Sequence, residues 1–242
     1  MNIGLSRDIK FIPEIEAIES IPFFRNLYFE IIISPKYLEE ISISEIIDLC
    51  EFTSEVNVIG LRLSSNILYN LDLVEKSLYI LDELKARFLV VPFSMNFEHR
   101  VKDMDKIFEL TANYNKTICI EILSPQLFLS MKYIIEMIDR YTKSVFGIAY
   151  NMYYNRMNKN MFNEIGENIE YIKILYFMNF YKENKLNILD TMGEINIFRL
   201  IRYLHKYKFR YYLILDYPDI TIYNLINDIE KIMEFLFSIE EK

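Results

Sequence analysis

Cysteine, glycine and excess positive charge are all scarce in this chain of 242 residues, and each scarcity removes a class of explanation. The 2 cysteines, Cys50 and Cys119, are too few and too isolated for a disulfide framework or a zinc site, and both read as core filler. With 5 glycines and no Gly-x-Gly turn, the chain lacks the usual backbone cradle for a phosphate. A formal net charge of −8 leaves no overall basic footprint for duplex binding, so nucleic acid is not an expected partner. No apolar run continues for the ~18 residues of a membrane span, so no membrane association is expected either. The N-terminal MNIGLSRDIK has no basic start followed by an apolar core and a small-residue cleavage site, which makes the cytoplasm the expected location.

What is present is a large apolar content, 52% hydrophobic and 15% aromatic, enough to exclude disorder. Eight short runs rich in Ile, Val, Tyr and Phe read as strands: NIGLS near Ile3, LYFEIII near Phe29, NVIGLRL near Ile59, FLVVPF near Val90, TICIEIL near Ile120, VFGIAYN near Ile148, IKILYFM near Leu175 and YYLILDY near Leu215. Several are almost continuously apolar, as parallel strands covered on both faces must be. Segments of helical period separate them. Ile46, Leu49 and Cys50 mark one, started by Ser42 or Ser44; Leu71, Val74, Leu78 and Leu81 mark another; Val101, Met104 and Phe108 mark a third. Pro125 and Pro218 each read as the opening of a later helix, and the connection from Asp8 to Phe24, with Pro13 and Pro22, reads as a shorter and less regular one. Met161 to Ile169, carrying Gly166, reads as a weak helix. The stretch from Asp190 to Asp216 holds the whole unit of loop, amphipathic helix and buried strand ending in a carboxylate. Repetition of that unit predicts an α/β protein, a single (β/α)8 TIM barrel spanning residues 1–242, with its chemistry at the strand ends.

TMGEINIF (Thr191 to Phe198), GIAYNMYY (Gly147 to Tyr154), IEIL with Glu121, LILD with Asp216 and LYFEI with Glu30 together resemble the xylose isomerase-like TIM barrels, the superfamily of sugar isomerases, sugar epimerases and endonuclease IV. The likeness extends over nearly the whole chain. In the isomerases and epimerases a glutamate, an aspartate, a histidine and a second glutamate hold a divalent metal. The resemblance carries these positions to Glu121, Asn151, Tyr176 and Asp216. The family histidine after the aspartate becomes Tyr154, the one ending the fourth strand becomes Pro92, and the acid ending the seventh-strand motif becomes Asn179. Exchanging an anionic oxygen for an amide and an imidazole for a phenol of pKa about 10 leaves a degenerate ligand set. No cofactor is therefore expected, although Glu121 and Asp216 with water can hold Mg²⁺ or Mn²⁺ weakly.

If the resemblance carries activity, Glu121 and Asp216 are the catalytic pair, one acid and one base across the mouth. The alternative pairs each with an inward arginine, Arg62 or Arg7. Expected substrate contacts are Asn151, Tyr154, Tyr176, Asn179, Arg62 and Glu30, with Tyr150, Tyr153 and Tyr154 as an aromatic wall. His99, just beyond the fourth strand, stands on the loop side of the barrel, whereas His205 lies on a helix flank. A small polyol or sugar-like molecule is the expected ligand, and self-association into a homo-oligomer is left open. Three functions compete: a divergent isomerase or epimerase, a non-catalytic binding or scaffold barrel, and an endonuclease IV-like nuclease. The last needs several histidine-held metals, for which 2 histidines do not suffice.

Overall fold

A computed structural model describes residues 1–9, 27–53, 56–93, 103–123, 128–216 and 222–240. In chain order the elements are β1 (Asn2–Asp8), β2 (Tyr28–Ile33), α1 (Pro35–Glu40), α2 (Ile43–Phe52), β3 (Asn57–Leu63), α3 (Leu71–Glu83), β4 (Phe88–Pro92), α4 (Met104–Asn113), β5 (Thr117–Ile122), α5 (Phe128–Tyr141), β6 (Phe146–Asn151), α6 (Met161–Glu167), β7 (Ile172–Phe177), β8 (Asn179–Tyr181), β9 (Asn184–Leu186), α7 (Ile197–Lys206), β10 (Tyr212–Leu215) and α8 (Ile222–Glu240). The eight long strands close into one barrel in the order β1-β10-β7-β6-β5-β4-β3-β2, every pairing parallel. All eight strands read from the sequence are therefore present, and the architecture is the (β/α)8 barrel expected.

Local chemistry explains where the helices begin. Ser42 caps α2 in a capping box: its hydroxyl accepts from Glu45 N–H while the Glu45 carboxylate accepts from Ser42 N–H. Asn70 caps α3 and Asn196 caps α7 from one side only, each accepting an N–H three residues on. In α7 the buried residues Ile197, Leu200, Ile201 and Leu204 follow the helical period, so one stripe faces the sheet and the charged remainder faces water. His205 sits exposed in its last turn, on the flank as expected. Residues 10–26, 94–102, 124–127 and 217–221 lie outside the described residues, and with them His99, the expected helix between Asp8 and Phe24, and the helix openings at Pro125 and Pro218.

Alternation along each strand divides the core in two. Ile59, Phe88, Val90, Cys119, Ala149, Ile174, Tyr176 and Ile214 pack together inside the barrel, above Tyr28 and Tyr212. The opposite faces, including Leu5, Phe29, Leu175, Leu213 and Leu215, join the helices in the larger outer core. Cys119 is fully buried inside the barrel as filler.

Three short elements are not legible in the sequence. Pro35–Glu40 forms a short helix capped by Ser34, and Asn179–Tyr181 pairs antiparallel with Asn184–Leu186 as a hairpin after β7. The hairpin turns at Lys182, in the left-handed region at φ 57, where Gly or Asn would be the usual signal.

Candidate active site at the barrel mouth

The inward positions at the C-terminal ends of the strands carry Ser6, Glu30, Arg62, Glu121, Asn151, Tyr176 and Asp216, and these side chains form one connected network. Arg62 is its centre. Its Nε donates to Glu121 Oε2 at 3.0 Å and its Nη2 donates to Glu121 Oε1, a two-pronged pairing. Its Nη1 lies 3.7 Å from Asp216 Oδ2, close enough for charge attraction but too far for a hydrogen bond. Its guanidinium stacks 4.0 Å above the Tyr176 ring.

Asn151 donates through Nδ2 to Glu121 Oε1 at 3.0 Å, and its Oδ1 accepts from Tyr154 N–H at 3.4 Å. An aspartate here would set two carboxylates against each other; the amide turns that repulsion into a hydrogen bond. Asp216 is held from its backbone, whose N–H donates to Phe177 O at 2.9 Å and carries the β10–β7 ladder one residue past the strand.

Beneath the guanidinium lies a second layer. Glu30, fully buried, accepts from Tyr176 Oη on one oxygen and from Ser6 Oγ at 2.8 Å on the other. Burial pushes the Glu30 carboxyl up to about 7, against the opposing pull of Arg62 and its two hydroxyl donors. Burial and the neighbouring Glu30 likewise hold the Tyr176 phenol well above its ordinary value, so it acts as a neutral donor.

The raised Glu30 pKa links folding to pH with a definite sign. A carboxyl at about 7 in the folded state and 4.5 in the unfolded chain contributes stability that is complete below pH 4.5 and lost as pH rises through 7. The loss amounts to about 3 kcal/mol. Denaturation profiles of the parent and Glu30→Gln between pH 4.5 and 7.5 should diverge by this amount, the variant being flatter; parallel profiles would refute the assignment.

Each residue singled out in the sequence can now be located. Glu121, Asp216, Arg62, Asn151, Tyr176 and Glu30 come together at the mouth. Tyr154 stands on the rim, 41% exposed, its ring edge-on to Tyr153 at 5.6 Å. Asn179 does not join them: its Nδ2 donates to the carbonyls of Asn187, Ile188 and Asp190, and its Oδ1 accepts from Phe180 N–H. Fully buried, it organises the loop before α7. Gly193 belongs to the same device, because a Cβ there would fall on the Asn179 amide. Tyr150 also leaves the aromatic wall. Lying next to inward Asn151 it points to the helix layer, where its hydroxyl donates to Glu164 on α6 at 2.8 Å. Arg7 follows inward Ser6 and so turns away; its Nη1 donates to Ser6 O, and both mouth acids engage Arg62. Ser6 was missed, though a hydroxyl two residues from Gly4 in an apolar strand is a readable signal.

The donor set does not suit the divalent metal that the resemblance implies. The matched positions, Glu121, Asn151, Tyr176 and Asp216, all converge on a guanidinium, directly or through one hydrogen bond. A dication about 4 Å from that cation would be repelled by about 8 kcal/mol at an effective dielectric of about 20. Among the described residues no three His, Cys, Asp or Glu side chains gather as metal ligands, and no helix is long and apolar enough to cross a membrane.

No family model and no curated protein sequence matches the chain. Solved structures do. A xylose isomerase domain protein from Planctomyces limnophilus superposes with a TM-score of 0.74 at 10% identity, covering 99% of each chain. A D-tagatose 3-epimerase-like protein gives 0.71 at 17% identity over 100% of this chain and 99% of the other. The 3-keto-D-glucoside 4-epimerase YcjR from E. coli gives 0.67 at 14% identity over 92% and 94%. Motif order, barrel topology and these superpositions agree: the chain has the fold of the xylose isomerase-like TIM barrels.

Proposed function

We propose that the barrel mouth binds a small, neutral, polyhydroxylated, sugar-like ligand and does so without a resident metal. One observation carries the reading: the open pair formed by Arg62 Nη1 and Asp216 Oδ2, 3.7 Å apart. Among the described residues Nη1 donates no hydrogen bond, and Arg62 and Asp216 are the least buried members of the network, at 11% and 24% of their side chains. A group that both accepts from Nη1 and donates to Oδ2 completes the pair, and a hydroxyl does both. A sugar acid would meet the carboxylates of Asp216 and Glu121, and an amine would meet the guanidinium, so neutral polyols are favoured. Tyr154 on the rim offers a ring face to the apolar side of a sugar. The centre of the mouth is polar, which sets this reading above a barrel plugged as a scaffold.

Calorimetry against neutral sugars, sugar acids and amino sugars tests it. Neutral members should bind, and Asp216→Asn should weaken them at least ~10-fold, since it removes an anionic acceptor. Absence of binding by every neutral member, or binding indifferent to that substitution, would overturn the reading.

An isomerase or epimerase activity is the second reading, favoured by the accessibility of Asp216, 24% exposed where Glu121 is 2% exposed. Glu121, with both oxygens held, then positions Arg62 rather than exchanging protons. Incorporation of solvent deuterium at a ligand carbon distinguishes catalysis from binding alone.

A further inference from the structure

The structure assigns to Arg62 the role of a built-in cation: its guanidinium stands in for a divalent ion at the mouth, and its removal uncovers a latent site for Mg²⁺ or Mn²⁺. This rests on the geometry of the network and is independent of which ligand the mouth takes.

The surroundings of the guanidinium are those of a cation site. Glu121 offers both oxygens to it, Asp216 lies at 3.7 Å, and fully buried Glu30 lies one layer below, bonded to the Tyr176 whose ring the guanidinium covers. Two carboxylates thus meet one positive charge, with Glu121 2% exposed and Glu30 in the layer beneath. A carboxylate as buried as that of Glu121 calls for a cation beside it. A side chain tethered to β3 supplies that charge permanently, with no dependence on metal supply, because a guanidinium does not lose its proton under physiological conditions.

Two of the departures from the metal-binding pattern make sense on this basis. Asn151 donates a hydrogen bond to Glu121, which a metal-ligating aspartate could not do. Tyr176 presents a flat π face at 4.0 Å, which suits a planar cation and cannot serve a metal as an imidazole does. The guanidinium also does for a ligand part of what a metal does. Nη1 points a fixed positive dipole at a ligand oxygen, stabilising charge that develops there.

Truncating Arg62 removes the tethered charge and leaves a space among oxygen donors. Glu121 and Asp216 each offer two oxygens, and Asn151 can turn its amide carbonyl inward. With water completing the shell, this is a hard-oxygen set suited to Mg²⁺ or Mn²⁺ and poorly suited to Zn²⁺.

The test is titration of Mn²⁺ into the parent and Arg62→Ala, followed by calorimetry and by loss of the free-ion electron paramagnetic resonance signal. The parent should show no stoichiometric site. Arg62→Ala should bind one Mn²⁺ per chain at least ~10-fold more tightly than any residual binding to the parent, and adding Asp216→Asn should abolish the gain. Arg62→Met, which keeps an apolar stem in place, repeats the test if the alanine variant is poorly folded; a Mn²⁺-dependent rise in its thermal midpoint, absent in the parent, is the matching result. Tight Mn²⁺ binding by the parent would overturn the proposal. So would folded Arg62→Ala or Arg62→Met that gains no Mn²⁺ affinity.

Discussion

Glu121→Ala is expected to lower the unfolding free energy by about 3–5 kcal/mol, the usual cost of removing one partner from a buried ion pair. The pair is two-pronged, 11% exposed on the arginine side and 2% on the glutamate side. Truncation would therefore leave a desolvated guanidinium with only Asp216 at 3.7 Å and Glu30 below Tyr176 for compensation. Asn151 Nδ2 would lose its acceptor in the same step. The penalty measures the breaking of the pair and not its net worth, since a well-packed apolar replacement of both partners can cost far less. Urea denaturation of the parent, Glu121→Ala and the double variant Glu121→Ala with Arg62→Met checks this. The double variant should recover part of the loss. A single variant within about 1 kcal/mol of the parent would show that the pair is far better hydrated than its burial implies.

Leu215→Ala is expected to cost about 2–5 kcal/mol, by creating a cavity between sheet and helices. Leu215 is fully buried in the outer core, in register with Phe177 on β7 and Leu5 on β1. Its inward neighbours Ile214 and Asp216 face the barrel interior and the mouth, so the substitution tests the orientation of β10 as well as its packing. An unchanged denaturation midpoint would contradict that orientation.

Strand alternation made much of this site legible. By alternation, an inward Asp216 goes with inward Ile214 and Tyr212, and an inward Glu121 with inward Cys119, and the structure has them so. The same rule carries further than two acids. Inward Asn151 sends Tyr150 to the helices, and inward Ser6 sends Arg7 away, which leaves Arg62 for both carboxylates. What the strands alone did not disclose is the shared charge. Residues 62, 121 and 216 are brought together only by closure of the barrel, and no local pattern says that an acid on β5 and another just past β10 meet one cation on β3. The raised pKa of Glu30 was hidden for a similar reason, because it comes from burial beneath Tyr176, 146 residues away in the chain. The hairpin after β7 escaped notice because NFYKENKL carries no glycine and turns at a lysine. Asn179 ends one motif and Gly193 lies in another, and their mutual packing belongs to the folded loop.

Arg62 serves as the cation of the mouth, and elemental analysis of the purified parent protein tests that role most directly. The sample should be exposed to excess Mn²⁺ and Zn²⁺, freed of unbound ions by gel filtration, and measured by mass spectrometry beside Arg62→Ala. Well under a tenth of an equivalent of either metal on the parent, with manganese retained by the variant, is the result predicted by roughly 8 kcal/mol of repulsion at the guanidinium. One equivalent of manganese or zinc per parent chain, lost on Asp216→Asn, would contradict it.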